Sequence, residues 1–390
     1  MSSWIQFYSH LLPSERTVFE GLPLGTRNQS LDVLRALAVL LVMGRHFPYY
    51  ALWGRVGWIG VDLFFVLSGF LISGLLFQEY KRTGMIDFWR FMFRRGLKIW
   101  PPLYVFLMAM ATAVLLSHQA FPRGFFAAAA GFYMNYFLSA GVHNAVPTTS
   151  YLVTHTWSLA VEEHFYVFLP LLLVVLIKLR RDFRFIPLIF SGLAAVSLAL
   201  RVATHPTESY ATHLRIDGLF AGVALGYLYH FKPSSFQRLT KNYVLLIWIS
   251  TMLLPVSFPW ESRVMQTVGI SCLSIGFSLL IAWASVRTAN DRVSTSMMRV
   301  LAGIGFYSYS IYLWHAPIAV LFRFKYLPST ISFWAYIVAA TSIGIGMARV
   351  IEQPALSLRD KWYGTRFRPP LAAAYPAPSA QSSSLTASAG

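Results

Sequence analysis

The chain has 390 residues, of which 56% are hydrophobic and 16% aromatic while only 12% are charged. A soluble protein of this length needs more charge to cover its surface, so the composition excludes a soluble enzyme and indicates a polytopic membrane protein. The formal net charge of +17 raises nucleic acid as a partner, but the basic residues sit in short loops between apolar runs, where topology accounts for most of them.

In chain order, residues 1–30 contain Glu15, Arg16, Glu20 and Arg27 without a long apolar run, so they read as a cytoplasmic segment and not as a cleaved signal peptide. Runs of about 20 apolar residues, enough to span a bilayer, predict ten helices near 31–50, 57–78, 99–118, 160–178, 185–202, 214–231, 242–256, 265–286, 301–322 and 331–350. That arrangement puts both termini on one side, and its inner segments hold 22 of the 32 Lys and Arg residues. The charge bias therefore sets both termini in the cytoplasm. Residues 124–138, GFFAAAAGFYMNYFL, are apolar, but a full span there would reverse every later helix; they are expected to form a re-entrant or interfacial hairpin on the outer side. The membrane domain is expected over 31–362. From 363 the chain is expected to be a cytoplasmic tail, rich in Pro, Ala and Ser from about 369 and expected to be disordered. The fold class is all-α, a polytopic membrane bundle. The single cysteine, Cys272, rules out an internal disulfide or a cysteine-based metal site.

Polar side chains inside the predicted spans are the candidate functional residues, because they are costly there. The first helix, LDVLRALAVLLVMGRHFPYY, carries Arg35 and His46. Eleven steps of ~1.5 Å separate them by ~16 Å, about half of a hydrocarbon core. In the second, GWIGVDLFFVLSGFLISGLL, the glycines and serines suit close helix packing, while Asp62 needs a partner. The inner stretch KRTGMIDFWRFMFRRGLKIWPP alternates Lys81, Arg82, Arg90, Arg94, Arg95 and Lys98 with aromatics. It reads as an interfacial helix on anionic lipid, as a phosphate cradle, or as both. On the outer side, HTWSLAVEEHFY holds His155, Trp157, Glu162, Glu163, His164 and Tyr166, with Glu162 and Tyr166 on one helical face. Without an HExxH spacing this cluster does not indicate zinc, and no metal is expected; acid/base chemistry, a proton relay or sugar recognition fits it better. Arg215 and Asp217 in HLRIDGLFAG are expected to join an ion-pair network with Asp62 or Glu162. His315, in FYSYSIYLWHAP, is either a packing histidine or part of the site.

Taken together, LDVLRALAVLLVMGRHF, GWIGVDLFFVLSGFLISG, FRRGLKIWP, HTWSLAVEEHFY, RIDGLFAG, YSYSIYLWH and EQP, in this order from about residue 28 to 362, resemble acyltransferase family 3, the integral membrane enzymes that O-acylate cell-envelope polysaccharides, lipopolysaccharide and related glycans. The resemblance is to the stand-alone form, in the bacterial cytoplasmic membrane. It implies acyl-CoA, most often acetyl-CoA, as a cytoplasmic co-substrate with no permanently bound cofactor, and a carbohydrate or glycolipid hydroxyl as acceptor. It also implies His46 as the essential histidine, Arg35 as its partner arginine, and Arg94, Arg95 and Lys98 as the motif that meets the CoA phosphates; the family usually has arginine where this chain has Lys98. On this view His46, Arg35, Asp62 and Glu162 form the catalytic set, while Trp157, Glu163, Tyr166, Arg215, Asp217 and His315 serve the acceptor. His46 acts as general base or as an acyl carrier. The competing class is a proton-coupled transporter or flippase of a glycan or lipid-linked precursor, in which the same buried groups relay protons.

Overall fold

The computed structural model describes residues 28–47, 49–141, 148–179, 183–206, 208–287, 296–323 and 329–363. The expected N-terminal segment, apart from its last three residues, and nearly all of the expected tail lie outside them. The unit Asn28–Trp362 contains helices and no strand among the described residues. In order these are α1 (Gln29–His46), α2 (Ala51–Val56), α3 (Ile59–Thr83), α4 (Phe88–Leu116), α5 (Arg123–Ala130), α6 (Met134–Ser139), α7 (Trp157–Lys178) and α8 (Ile186–Thr204). The second half comprises α9 (Thr212–Arg215), α10 (Asp217–Phe231), α11 (Pro233–Arg238), α12 (Val244–Ser257), α13 (Ile270–Ser285), α14 (Ser296–Phe306), α15 (Ser308–Arg323), α16 (Ser329–Met347) and α17 (Gln353–Trp362).

Six helical runs are long and apolar enough to cross a membrane by length and composition: Ile59–Thr83, Phe88–Leu116, Thr154–Lys178, Phe183–Thr204, Met265–Ser285 and Thr330–Trp362. The all-α polytopic architecture follows from these. The other expected spans fall on segments that are shorter, as α12 and α14 are, or more polar, as α1 is with Asp32, Arg35 and Arg45.

Local chemistry explains where the elements begin and end. Asn28 caps α1 by accepting from the amides of Ser30 and Leu31, and its own amide donates to the Ser285 carbonyl at the end of α13. Helix α3 stops at Gly84, whose φ of 72° is the left-handed conformation that glycine adopts freely. Three residues later Asp87 caps α4 by accepting from the Arg90 amide at 3.0 Å.

Three expectations about boundaries are revised. The basic stretch 88–98, read as an interfacial helix separate from the span at 99–118, is the first third of α4, which continues through Pro101 and Pro102. Adjacent prolines usually end a helix, but helix is the only economical state for backbone shielded from water, so the chain tolerates the lost amide donors. The predicted helix over 301–322 is two helices, α14 and α15, that meet at Tyr307. The last predicted helix runs further than its apolar stretch, because α16 passes through a π turn at Ala348–Glu352 directly into α17. Residues 124–138, expected to form a hairpin, lie in α5 and α6, eight and six residues long, and the turn between them. At ~1.5 Å per residue neither approaches the thickness of a bilayer.

Contacts at the termini of the helices define two ends of the bundle. At the basic end Lys81 donates to the His230 carbonyl closing α10, and Arg94 pairs with Asp360 of α17 at 3.5 Å. At the opposite end, called here the histidine end, Tyr49 bonds Thr330 and the rings of Trp58 and Trp260 lie 4.5 Å apart. Between the ends, α3 and α10 approach so closely that a Cβ on Gly69 would strike the Leu219 carbonyl, and one on Gly222 the Val66 carbonyl. Small residues at the crossing let backbones touch where lipid supplies no hydrophobic drive for association.

Candidate active site

Five helices converge on a cavity of about 140 Å3. From α1 comes Arg35, from α3 Ser68, from α4 Arg95 and Lys98, from α7 Glu162, Glu163 and Tyr166, and from α15 Tyr309 and Tyr312. The continuation of α4 through its basic stretch makes this possible. Arg95 and Lys98 are three residues apart and share a helix face, whereas Arg94, one residue earlier and so about 100° around the helix, turns to Asp360 and does not line the cavity.

The charges in the cavity are unequally matched. Arg35 is held by Asp32 one turn earlier, at 2.6 Å. Glu162 is satisfied by two hydroxyls: Ser68 donates to one carboxylate oxygen at 2.8 Å and Tyr166 to the other at 2.7 Å. Arg95 and Lys98, by contrast, have no carboxylate within ion-pair distance among the described residues. The Arg95 guanidinium lies over the rings of Phe91 and Tyr166, at 5.8 and 5.9 Å from their centroids. Two cations with no ion-pair partner of their own, in a cavity that Glu162 and Glu163 also line, can take up an anionic ligand.

Toward the histidine end the cavity wall includes Ser158 and Tyr312. The Tyr312 hydroxyl donates to the His155 carbonyl at 2.8 Å and lies 2.6 Å from the Ser158 hydroxyl. Beyond it three histidines gather. The ring of His315 lies 4.8 Å from that of His46 and 5.2 Å from that of His155, and His315 Nε2 is 3.2 Å from His46 Nδ1. Arg35 and His46 are thus assigned to different centres by their separation on α1: the first to the cation-lined cavity, the second to the histidine cluster.

Other expected site residues lie elsewhere. Asp62 does find Arg215, at 3.1 Å, with both side chains almost fully buried. Asp217 does not join them through Arg215; it pairs with Arg201 of α8 at 2.8 Å. Residues two apart on a helix do not face each other, and α8 brings its own arginine. Arg201 also donates to Ser197, Ser271 and the carbonyls of Leu214 and Thr267. Trp157 packs beside Tyr210 and Arg215, at 5.0 and 5.8 Å, and shares no aromatic platform with Tyr166, which lines the cavity. Arg215, Asp217, Asp62 and Trp157 therefore do not line this cavity. No group of three or more His, Cys, Asp or Glu suited to a metal ion occurs among the described residues.

Sequence reasoning left Tyr312, Ser158 and Arg201 out of the site and its framework. A signal existed for the first: Tyr309, Tyr312 and His315 recur every three residues and mark one face of α15. Arg201 falls in a segment predicted to lie outside, against the positive-inside trend, and that exception was the signal available for it.

A membrane-embedded helical bundle with a cation-lined cavity and a cluster of three histidines, two of them buried, is the class of protein that these features define. The chain belongs to the family described as an acyltransferase domain, acyltransferase family 3, whose model matches residues 28–349. It is 33% identical over 324 residues to a protein of Staphylococcus aureus (strain COL) provisionally named an O-acetyltransferase. It is 31% identical over 327 residues to O-acetyltransferase OatA of Staphylococcus aureus (strain NCTC 8325 / PS 47). Each match covers 79% of this chain and 53% of the relative, so the chain spans about half the length of the curated relatives it matches. No solved structure matches it.

Proposed function

We propose that the chain moves an acyl group, acetyl in the first instance, from acyl-CoA entering at the basic end to a hydroxyl of a carbohydrate reached from the histidine end. The observation that carries this reading is the pair of cations, Arg95 and Lys98, that line the cavity with Arg35 and have no carboxylate within ion-pair distance among the described residues, although Glu162 and Glu163 line the same cavity. The CoA half of the donor is rich in phosphate, which arginine and lysine bind through charge-assisted hydrogen bonds. The names of the relatives agree with an O-acetyl transfer.

In the step itself, His46 Nε2 takes the proton of the acceptor hydroxyl as the oxygen attacks the thioester carbonyl. The carbon–oxygen bond forms, the carbon–sulfur bond breaks, and the departing thiolate collects the proton to leave as CoA thiol. The products are the O-acyl sugar and free CoA, so atoms and charge balance. Glu162, held by Ser68 and Tyr166, keeps the middle of the cavity polar along the path of the pantetheine arm.

The test is thiol release. Purified protein in nanodiscs, given acetyl-CoA and an envelope-derived oligosaccharide, is expected to release free CoA and to add one acetyl increment to the sugar by mass spectrometry, with both lost in His46→Ala. Movement of glycan across a sealed vesicle without thiol release would overturn the reading in favour of transport. Acetyl-labelled protein that forms without acceptor and disappears in His46→Ala would replace direct transfer by a covalent route.

A further inference from the structure

The contacts of the histidine cluster determine where its protons sit. A backbone carbonyl can only accept a hydrogen bond, and His315 Nδ1 lies against the Tyr312 carbonyl, so that nitrogen carries the hydrogen. A neutral imidazole has one N–H, and the lone pair of His315 is therefore on Nε2. That atom points at His46 Nδ1, 3.2 Å away. The Val42 carbonyl, one turn back on α1, is a second acceptor 3.0 Å from the same His46 Nδ1. Both of these atoms accept, so each favours a hydrogen on the nitrogen. The other tautomer would set the Nδ1 lone pair against those of His315 Nε2 and the Val42 carbonyl and take the donor from the buried His315 Nε2.

We propose that His315 is a positioning residue: it holds His46 in the Nδ1–H tautomer and so places the lone pair of His46 on Nε2. The inference rests on the reading of His46 as the base and adds the residue that prepares it. Three features make His315 suited to the task. Its side chain is fully buried, so it cannot rotate out to water. It lies on α15, facing α1 across the bundle, and its accepting partner is fixed by the Tyr312 hydroxyl, which ties that residue to the His155 carbonyl at 2.8 Å. Its other ring neighbour, His155, is itself oriented, with Nε2 3.1 Å from the Leu313 carbonyl. When His46 Nε2 takes the acceptor's proton, the Nδ1–H to His315 bond becomes charge-assisted. The contact is then stronger in the transition state than in the resting enzyme, which is the condition for raising kcat.

The experiment uses the full chain in nanodiscs with acetyl-CoA and oligosaccharide as probes. His315→Leu is expected to lower kcat about 100-fold, within the range for general-base catalysis, with KM for acetyl-CoA unchanged within about twofold. His315→Gln, whose amide oxygen accepts from His46 Nδ1–H, is expected to recover at least tenfold over His315→Leu and carries the test if the leucine variant does not fold. Nitrogen-15 NMR of labelled imidazoles, with the His46 signals identified by their loss in His46→Ala, reads the tautomer independently of turnover. Wild type is expected in the Nδ1–H form and His315→Leu in a mixture. A wild-type His46 in the Nε2–H form, or a His315→Leu enzyme with unchanged kcat, overturns the proposal. So does a kcat loss in His315→Leu with the tautomer unmoved, since that marks a packing role. Full turnover in His46→Ala instead brings down the general-base reading itself, whatever the spectra show.

Discussion

Arg94 and Arg95 are neighbours in sequence with opposite fates in the fold, and that contrast gives the sharpest test of the cavity's role. Replacing Arg95 by Met keeps much of the side-chain volume and removes a guanidinium that has no carboxylate partner among the described residues. No internal ion pair is broken, so the loss falls on the ligand. One charge-assisted hydrogen bond to phosphate contributes about 1.5–3 kcal/mol, which at ~1.4 kcal/mol per decade predicts a rise in KM for acetyl-CoA on the order of 10- to 150-fold. Arg94→Met removes instead a side chain turned to Asp360. An exposed pair of this kind is worth about 0–1 kcal/mol, and KM is expected to stay within about twofold. The assay is continuous thiol release in nanodiscs over a range of acetyl-CoA. Removing the 3′-phosphate from the donor adds a second axis: if Arg95 meets that group, the substitution and the missing phosphate cost less together than their sum. Equal effects of the two arginine substitutions, or an Arg95→Met enzyme whose only change is in kcat, would refute the assignment of the cavity to CoA.

Other outcomes follow from the framework. Arg201→Leu leaves Asp217 buried beside a single hydroxyl donor, Ser271, and is expected to destabilise the fold by about 3–5 kcal/mol. Thermal unfolding in detergent measures this, and Arg201→Leu combined with Asp217→Leu should recover more than half of the loss. Tyr166→Phe removes the 2.7 Å bond to Glu162 at a cost of about 1–3 kcal/mol, so its melting temperature should fall while the remaining phenyl ring still fills the wall. Gly222→Leu drives a side chain into the Val66 carbonyl, and folded yield by size-exclusion chromatography should collapse, whereas Gly192→Leu, at a glycine with open space, should not change it. For the crossing direction, Thr83→Cys and Ser117→Cys in a Cys272→Ala background should react with an impermeant maleimide from opposite faces of sealed vesicles.

The sequence made the local relations legible and obscured the tertiary ones. Arg35 and His46 could be placed at two depths from the rise of a helix alone, and Glu162 with Tyr166 from their four-residue spacing; both relations survive in the fold. Arg215 was expected to meet Asp62 or Glu162 and meets Asp62, whereas Asp217 pairs with Arg201 on a distant helix, a partner that no local pattern encodes. The predicted span began at 99, so the basic stretch before it read as a separate segment; the helix in fact starts at Phe88 and runs through Pro101 and Pro102, and that brings Arg95 and Lys98 to the cavity. The break at Tyr307 had a warning in Gly303 and Gly305, weak helix formers next to it, but apolarity dominated the reading. Periodicity along α15 was visible as a stripe, but not what the stripe would touch.

The π turn at Ala348–Glu352 has a consequence for how the last helix is used. One added residue in a helical turn rotates everything after it by about 100°. Upstream of the turn α16 lies along α15; downstream α17 lies along α4. Within the turn itself Glu352 is buried and accepts from Ser310 at 2.7 Å. A single rod thereby presents two docking faces that a regular helix of the same sequence could not serve together, and it does so without a loop. Removing one residue from the turn would keep the rod and lose the coincidence, swinging Asp360 away from Arg94 while leaving the packing above untouched.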